Sequence, residues 1–100
     1  GWSARLLPSE LGLFSDLHLA MLKLPRTELI AGSVGEGRLT YITRSKLIGF
    51  PDYTTIEQTD SNIQLYARLR FGRSDLGVNG KRLDGLIEGV RTKRSEAARQ

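Results

Sequence analysis

One hundred residues, 39% hydrophobic and 26% charged, supply one globular domain with a single core. The lack of cysteine excludes disulfide staples, thiolate metal sites and a cysteine nucleophile. The net charge of +4 is concentrated in the last ten residues, RTKRSEAARQ, where four basic groups face Glu96 alone; the first ninety hold 11 basic and 10 acidic groups, which argues against a nucleic-acid footprint.

No run approaches the roughly 18 apolar residues that a membrane-spanning helix needs, and no secretory leader pattern opens the chain. Gly1 in place of an initiator Met fits a trimmed chain, which leaves room for an upstream anchor.

Residues 1–8 read as a lead-in ending at Pro8. Ser9 is a helix cap by type, with Glu10 in the first turn and Asp16 as a later alternative. Phe14, Leu17, Met21 and Leu24 then recur at helical spacing until Pro25 stops the run. The segment TELIAGSVGEGRLTYITRSKLI predicts two strands around a turn at Gly35, Glu36 and Gly37. Gly49 and Pro51 break the second of these, YTTIEQ forms a short third strand, and TDSN turns the chain.

IQLYARLRF is the clearest strand. Ile63, Leu65, Ala67, Leu69 and Phe71 alternate with Gln64, Tyr66, Arg68 and Arg70, so one face is buried and the other meets water. Leu83, Leu86, Ile87 and Val90 give an amphipathic helix of about three turns. The expected fold is α+β: a four-stranded antiparallel meander with an N-terminal and a C-terminal helix packed on one face, in a two-layer sandwich. The domain spans 9–90 and residues 91–100 form a basic tail, either a frayed helix end or a disordered extension.

The loop FGRSDLGVNGKR lies between that strand and the last helix. A phosphate-cradling loop needs G-x-x-x-x-G-K-[ST]. Gly72 and Gly77 have that separation, but Val78 and Asn79 stand where the Lys and hydroxyl residues belong. As a plain connection the loop is fully accounted for. Gly72 and Gly77 supply backbone freedom, Ser74 or Asp75 bonds loop amides, and Asn79 caps the following helix. The helix start with Arg73 and Lys81 is also an arrangement that holds an anion weakly.

RLRFGRSDLGVNGKRLDGL resembles the C-terminal signature of domain-of-unknown-function family 1499: an Arg-rich strand, G-x-S-D-x-G-x-N, then a helix. TYITRSKLIGFPDYTTI and PRTELIAGSVGEGRLTY resemble that family's preceding segments, so the likeness covers roughly residues 10 to 90. The resemblance implies no activity, cofactor or catalytic residue. It does imply a small envelope protein, periplasmic or membrane-anchored, in keeping with a removed leader.

Chemistry-bearing residues are sparse. His18 is the lone histidine, so neither a histidine-based metal site nor a second general base is available. No nucleophile elbow is present, and Asp84 with Glu88 is a surface acid pair rather than a glycosidase dyad. The expectation is a protein with no catalytic, cofactor or metal site. Interaction is assigned to the open sheet face and its loop: Arg44, Lys46, Tyr66, Arg68, Arg70 and Arg73, with Ile42, Tyr53, Thr55 and Glu57 sharing the face. That face reads as a basic–aromatic platform for an anionic protein or lipid surface. Read structurally, it is a solvated surface on which Glu57 bridges arginines across strands. A groove between helices and sheet for a small or lipidic ligand is the competing reading, and nucleic-acid binding a weaker third.

Overall fold

The computed structural model describes residues 2–69 and 78–99. Its elements run β1 (Trp2–Pro8), α1 (Leu13–Leu22), β2 (Thr27–Ser33), β3 (Arg38–Arg44), β4 (Pro51–Gln58), β5 (Asn62–Leu69) and α2 (Val78–Ala98). The fold is α+β, with two helices and a five-stranded antiparallel sheet of order β1-β5-β4-β3-β2. The meander from β2 to β5 follows the expected order. The fifth strand corrects the sequence reading: residues 2–8 are not a lead-in but pair with β5 from Trp2↔Arg68 to Pro8↔Asn62. Strand β1 carries no clean alternation, because Ser3 and Arg5 share a side with Leu7 while Ala4 lies beside the exposed Leu6. Its pairing comes from the open edge of β5, which would otherwise leave a row of amides and carbonyls unbonded.

Both outer strands are therefore β1 and β2, and α1 carries the chain from one edge of the sheet to the other. Helix α1 starts at Leu13 after Gly12, whose φ of 79° is left-handed and whose cap has no side-chain bond. Ser9 does not cap it. The Ser9 amide donates to Ser61 O at 2.9 Å and its hydroxyl to Thr59 O at 3.2 Å, tying the end of β1 to the β4–β5 turn. Helix α1 ends at Leu22, ahead of Pro25, as the residue before a proline favours extended backbone.

Leu17 and Met21 from α1, Leu39 and Tyr41 from β3, Ile56 from β4, Leu65 and Ala67 from β5, and Leu83 and Ile87 from α2 meet in one buried cluster. The alternation read from β5 holds over its described part: Ile63, Leu65 and Ala67 are buried, Gln64 and Arg68 exposed, and Tyr66 half-buried. Strand β2 is mostly exposed and shifts register between Leu29 and Ala31. Just beyond, Gly32 has φ 87°, and a Cβ there would sit 2.0 Å from Arg38 O, so no other residue fits without moving the strand.

Helix α2 is 21 residues long and continues through residues 91–98 of the segment read as a basic tail. What anchors its far end is Arg94, which donates to Asp16 Oδ2 at 2.6 Å and to Leu11 O at 2.7 Å. The alanines beyond it are strong helix formers. Asn79 is not the N-cap but lies within the helix and is fully buried.

Candidate interaction surface

Register fixes the face of the sheet turned away from the core. Arg38, Thr40, Ile42 and Arg44 of β3 lie opposite Glu57, Thr55, Tyr53 and Pro51 of β4, and Thr55 and Tyr53 lie opposite Tyr66 and Arg68 of β5. The expected neighbours Ile42, Tyr53, Thr55 and Glu57 thus share one face with Arg44, Tyr66 and Arg68. Ile42 and Thr55 are 7% exposed even there, shielded among the larger side chains around them.

The ion pairing on this face differs from the expected bridge. Glu57 accepts from Arg38 Nη1 at 2.9 Å, and Arg38 Nη2 donates to the Tyr66 hydroxyl at 3.1 Å. Glu57 raises the Arg38 pKa further above its ordinary value, chiefly through that hydrogen bond. Arg38 was absent from the sequence-derived set. Its partner could be read only once β3 and β4 were in register. Arg44 and Arg68 have no carboxylate within ion-pair distance among the described residues. Arg44 Nη1 donates to Gly49 O at 3.2 Å, which fastens it to the following loop.

That loop is where the sequence reading errs most usefully. The sequence extends the second strand through Ile48 and places Lys46 outward from it. Strand β3 instead ends at Arg44, and residues 45–50 form a loop in which Lys46 is exposed. Ser45 closes it: the Ser45 amide donates to Phe50 O at 3.0 Å, and the Phe50 amide donates to Ser45 Oγ at 3.0 Å. Gly49 takes φ 76° at the bend. Leaving the sheet puts Leu47 at 93%, Ile48 at 69% and Phe50 at 46% exposure. A signal existed in the sequence: Leu-Ile-Gly-Phe-Pro sets apolar residues among turn formers, where no strand can bury them.

Because β3 ends where β4 begins and β5 finishes, Arg44, Lys46, Tyr53, Arg68 and the 45–50 loop gather at one end of the sheet. Arg70, Gly72, Arg73, Asp75 and Gly77 lie outside the described residues, as does the loop assigned to them.

Helix α2 is fixed on the far side of the loop by a buried polar cluster. Arg82 Nη1 donates to Asp52 Oδ2 and, at 3.0 Å, to Asn79 Oδ1. Asp52 is 5% exposed and Asn79 fully buried. The aspartate after the Phe-Pro break and the asparagine of the G-x-S-D-x-G-x-N run, far apart in sequence, thus meet through one guanidinium. Asp52 Oδ1 and Thr54 Oγ1 are buried without a hydrogen-bond partner among the described residues. The cluster locks the start of β4 to the start of α2, and it takes up Asn79 as a buried acceptor. At the β1 edge, Arg5 grips Asp84 through Nε at 2.7 Å and Nη2 at 3.1 Å, holding the Asp84 carboxyl below the usual carboxylate range. The acid pair Asp84–Glu88 is thereby broken up: Asp84 belongs to a strand–helix clasp.

His18 is half-buried, as its position beside the Leu17 stripe predicts, with Nδ1 2.6 Å from the Tyr41 hydroxyl. With the imidazole proton on Nε2, the hydroxyl donates to Nδ1. Burial pushes the Tyr41 phenol well above its ordinary pKa. Among the described residues no three His, Asp or Glu side chains gather as metal ligands, and no helix is long and apolar enough to cross a membrane. Two clefts, of about 540 and 660 Å³, run along α1 and α2, the smaller lined also by Leu7 of β1.

The family described as "Protein of unknown function (DUF1499)" matches over residues 7–90. No curated protein matches closely enough to lend an activity. The matched range opens on Leu7 and Pro8, the last residues of β1, and takes in most of α2, through Val90.

Proposed function

The chain belongs to the DUF1499 family, and we propose that within it this domain is a non-catalytic interaction module that docks on an anionic lipid surface at the envelope. In this reading the helices and sheet form two layers. The sheet's outer face is left for contact, with the 45–50 loop as its leading edge. The observation that carries the proposal is the loop: Leu47 and Ile48 are 93% and 69% exposed beside Lys46 and Arg44. Water disfavours apolar side chains held out in this way, and burying one fully is worth roughly 1.5–3 kcal/mol. Cations set behind them are worth about 1 kcal/mol each near an anionic leaflet. Arg44, Lys46 and Arg68 stand at that end without an acidic partner among the described residues, and Tyr53 offers the amphipathic ring that suits a headgroup layer.

The test is co-sedimentation with phosphatidylglycerol-containing vesicles against pure phosphatidylcholine. The protein partitions to the anionic vesicles, salt weakens it, and both Leu47→Ser/Ile48→Ser and Arg68→Glu reduce it without loss of secondary structure. Equal binding to both vesicle types, indifference to the loop substitutions, or preferential capture of an acidic protein or an oligonucleotide overturns the reading.

A further inference from the structure

The larger cleft lies between α1 and α2 and is lined by residues 16–24 and 81–97, with none from the sheet among the described residues. Its volume of about 660 Å³ falls in the range that small-molecule sites occupy. Its floor is apolar: Leu19 and Leu24 on one side, Leu86 and Val90 on the other. The wall formed by α2 is low, because Gly85 and Gly89 face it, and a Cβ at either would meet nothing within 4 Å. Two close-packed helices would fill such a space with side chains; here it stays open.

The charge at its rim is one-sided. Lys23, just past the end of α1, and Lys93 of α2 both line the cleft. Neither lysine has a carboxylate within ion-pair distance among the described residues. The one acid in the lining among the described residues, Asp16, is committed to Arg94 at 2.6 Å. Lys93 holds the Lys23 ammonium below its ordinary lysine value, chiefly through the contact between the two amines. Like charges brought together without a counter-ion repel each other, and an anion placed between them removes that cost. An apolar trough ending in two uncompensated ammonium groups is complementary to one kind of occupant.

We infer that the α1–α2 groove is a binding site for a single-chain anionic amphiphile, whose acyl chain lies over Leu24, Leu86 and Val90 and whose head group bridges Lys23 and Lys93. The inference stands apart from lipid-surface docking: it concerns one monomeric molecule, a different face, and none of the residues of the 45–50 loop.

The probe is dodecanoate below its micellar concentration, titrated calorimetrically into the full chain, with dodecanol as the uncharged control. Dodecanoate binds with one-to-one stoichiometry and dodecanol at least about tenfold more weakly, the loss expected when a charge-assisted contact is removed. Gly89→Leu, which fills the groove with a better helix former, abolishes binding while circular dichroism stays native; Gly85→Leu serves the same purpose if the first variant fails to fold. Lys23→Glu pairs with Lys93, so it weakens dodecanoate binding by about tenfold or more and raises the thermal midpoint of the ligand-free protein. Absence of dodecanoate binding, equal affinity for dodecanol, or wild-type affinity in a folded Gly89→Leu or Gly85→Leu variant overturns the assignment. Vesicle binding that persists in these variants leaves the docking surface untouched, so the two readings fail separately.

Discussion

At the scale of single residues, the molecule is held by charges that find partners far away in sequence. In the fold Asp52 pairs with Arg82, Asp84 with Arg5, and Asp16 with Arg94. None of these could be read from sequence, because each joins elements whose relative position is set by packing rather than by spacing. Of the three, the Asp52–Arg82 pair is the most buried, with side-chain exposures of 8% and 21%. Removing one member of a buried pair strands the other. Arg82→Ala therefore costs about 3 kcal/mol in denaturant unfolding, the low end of the usual range because Arg82 retains some contact with water. Replacing both members, as Asp52→Leu/Arg82→Met, recovers most of that loss. A cost below about 1 kcal/mol for Arg82→Ala would show that the pair contributes little.

Tyr41 gives a second residue-scale expectation. Its folded-state pKa is raised by burial, so the folded chain holds its phenolic proton more tightly than the unfolded chain does. The stability this represents is complete below the unfolded value, about pH 10, and is lost as pH rises from there toward the folded value. Tyr41→Phe removes the dependence. Near neutrality the variant is less stable by about 1 kcal/mol, having lost the hydrogen bond to His18. Above about pH 10 the gap narrows or reverses. Unfolding curves for both proteins across that range decide the matter, and a gap that stays constant contradicts the assignment.

At the scale of elements, the sequence was most legible where one face of a segment is uniformly apolar. Strand β5 announced itself through Ile63, Leu65 and Ala67, and α2 through Leu83, Leu86, Ile87 and Val90, and those residues form the core. Legibility failed at β1, where Arg5 lies on the helix-facing side of the sheet and reaches Asp84 instead of packing as an apolar residue would. It failed again at the end of β3, where an apolar Leu-Ile pair mimicked strand continuation, and at the end of α2, where the helix outlasts its apolar stripe. Strand β1 covers β5 from Asn62 to Arg68. Deleting residues 1–8 should expose that edge, lower the thermal midpoint sharply and promote self-association by strand pairing. Size-exclusion chromatography with thermal melts reads both effects. A truncated chain that stays monomeric with an unchanged midpoint would mean that β1 adds nothing to the fold.

At the scale of the whole molecule, the open sheet face was legible in outline. Period-two alternation in β5 placed Tyr66 and Arg68 together, and the third strand fell between its neighbours as short turns require. The loop's outward apolar side chains and the inter-helix groove were not legible. The first depends on where β3 stops, and the second on how two helices from opposite halves of the chain come to lie side by side.

A polarity-sensitive fluorophore on Leu47→Cys gives the most direct test of the docking surface, since a chain without native cysteine takes the label at that site alone. On adding phosphatidylglycerol vesicles the emission should shift to the blue and become shielded from an aqueous quencher, and high salt should reverse both changes. Emission that stays water-like at saturating vesicle concentration would contradict the loop as the point of contact.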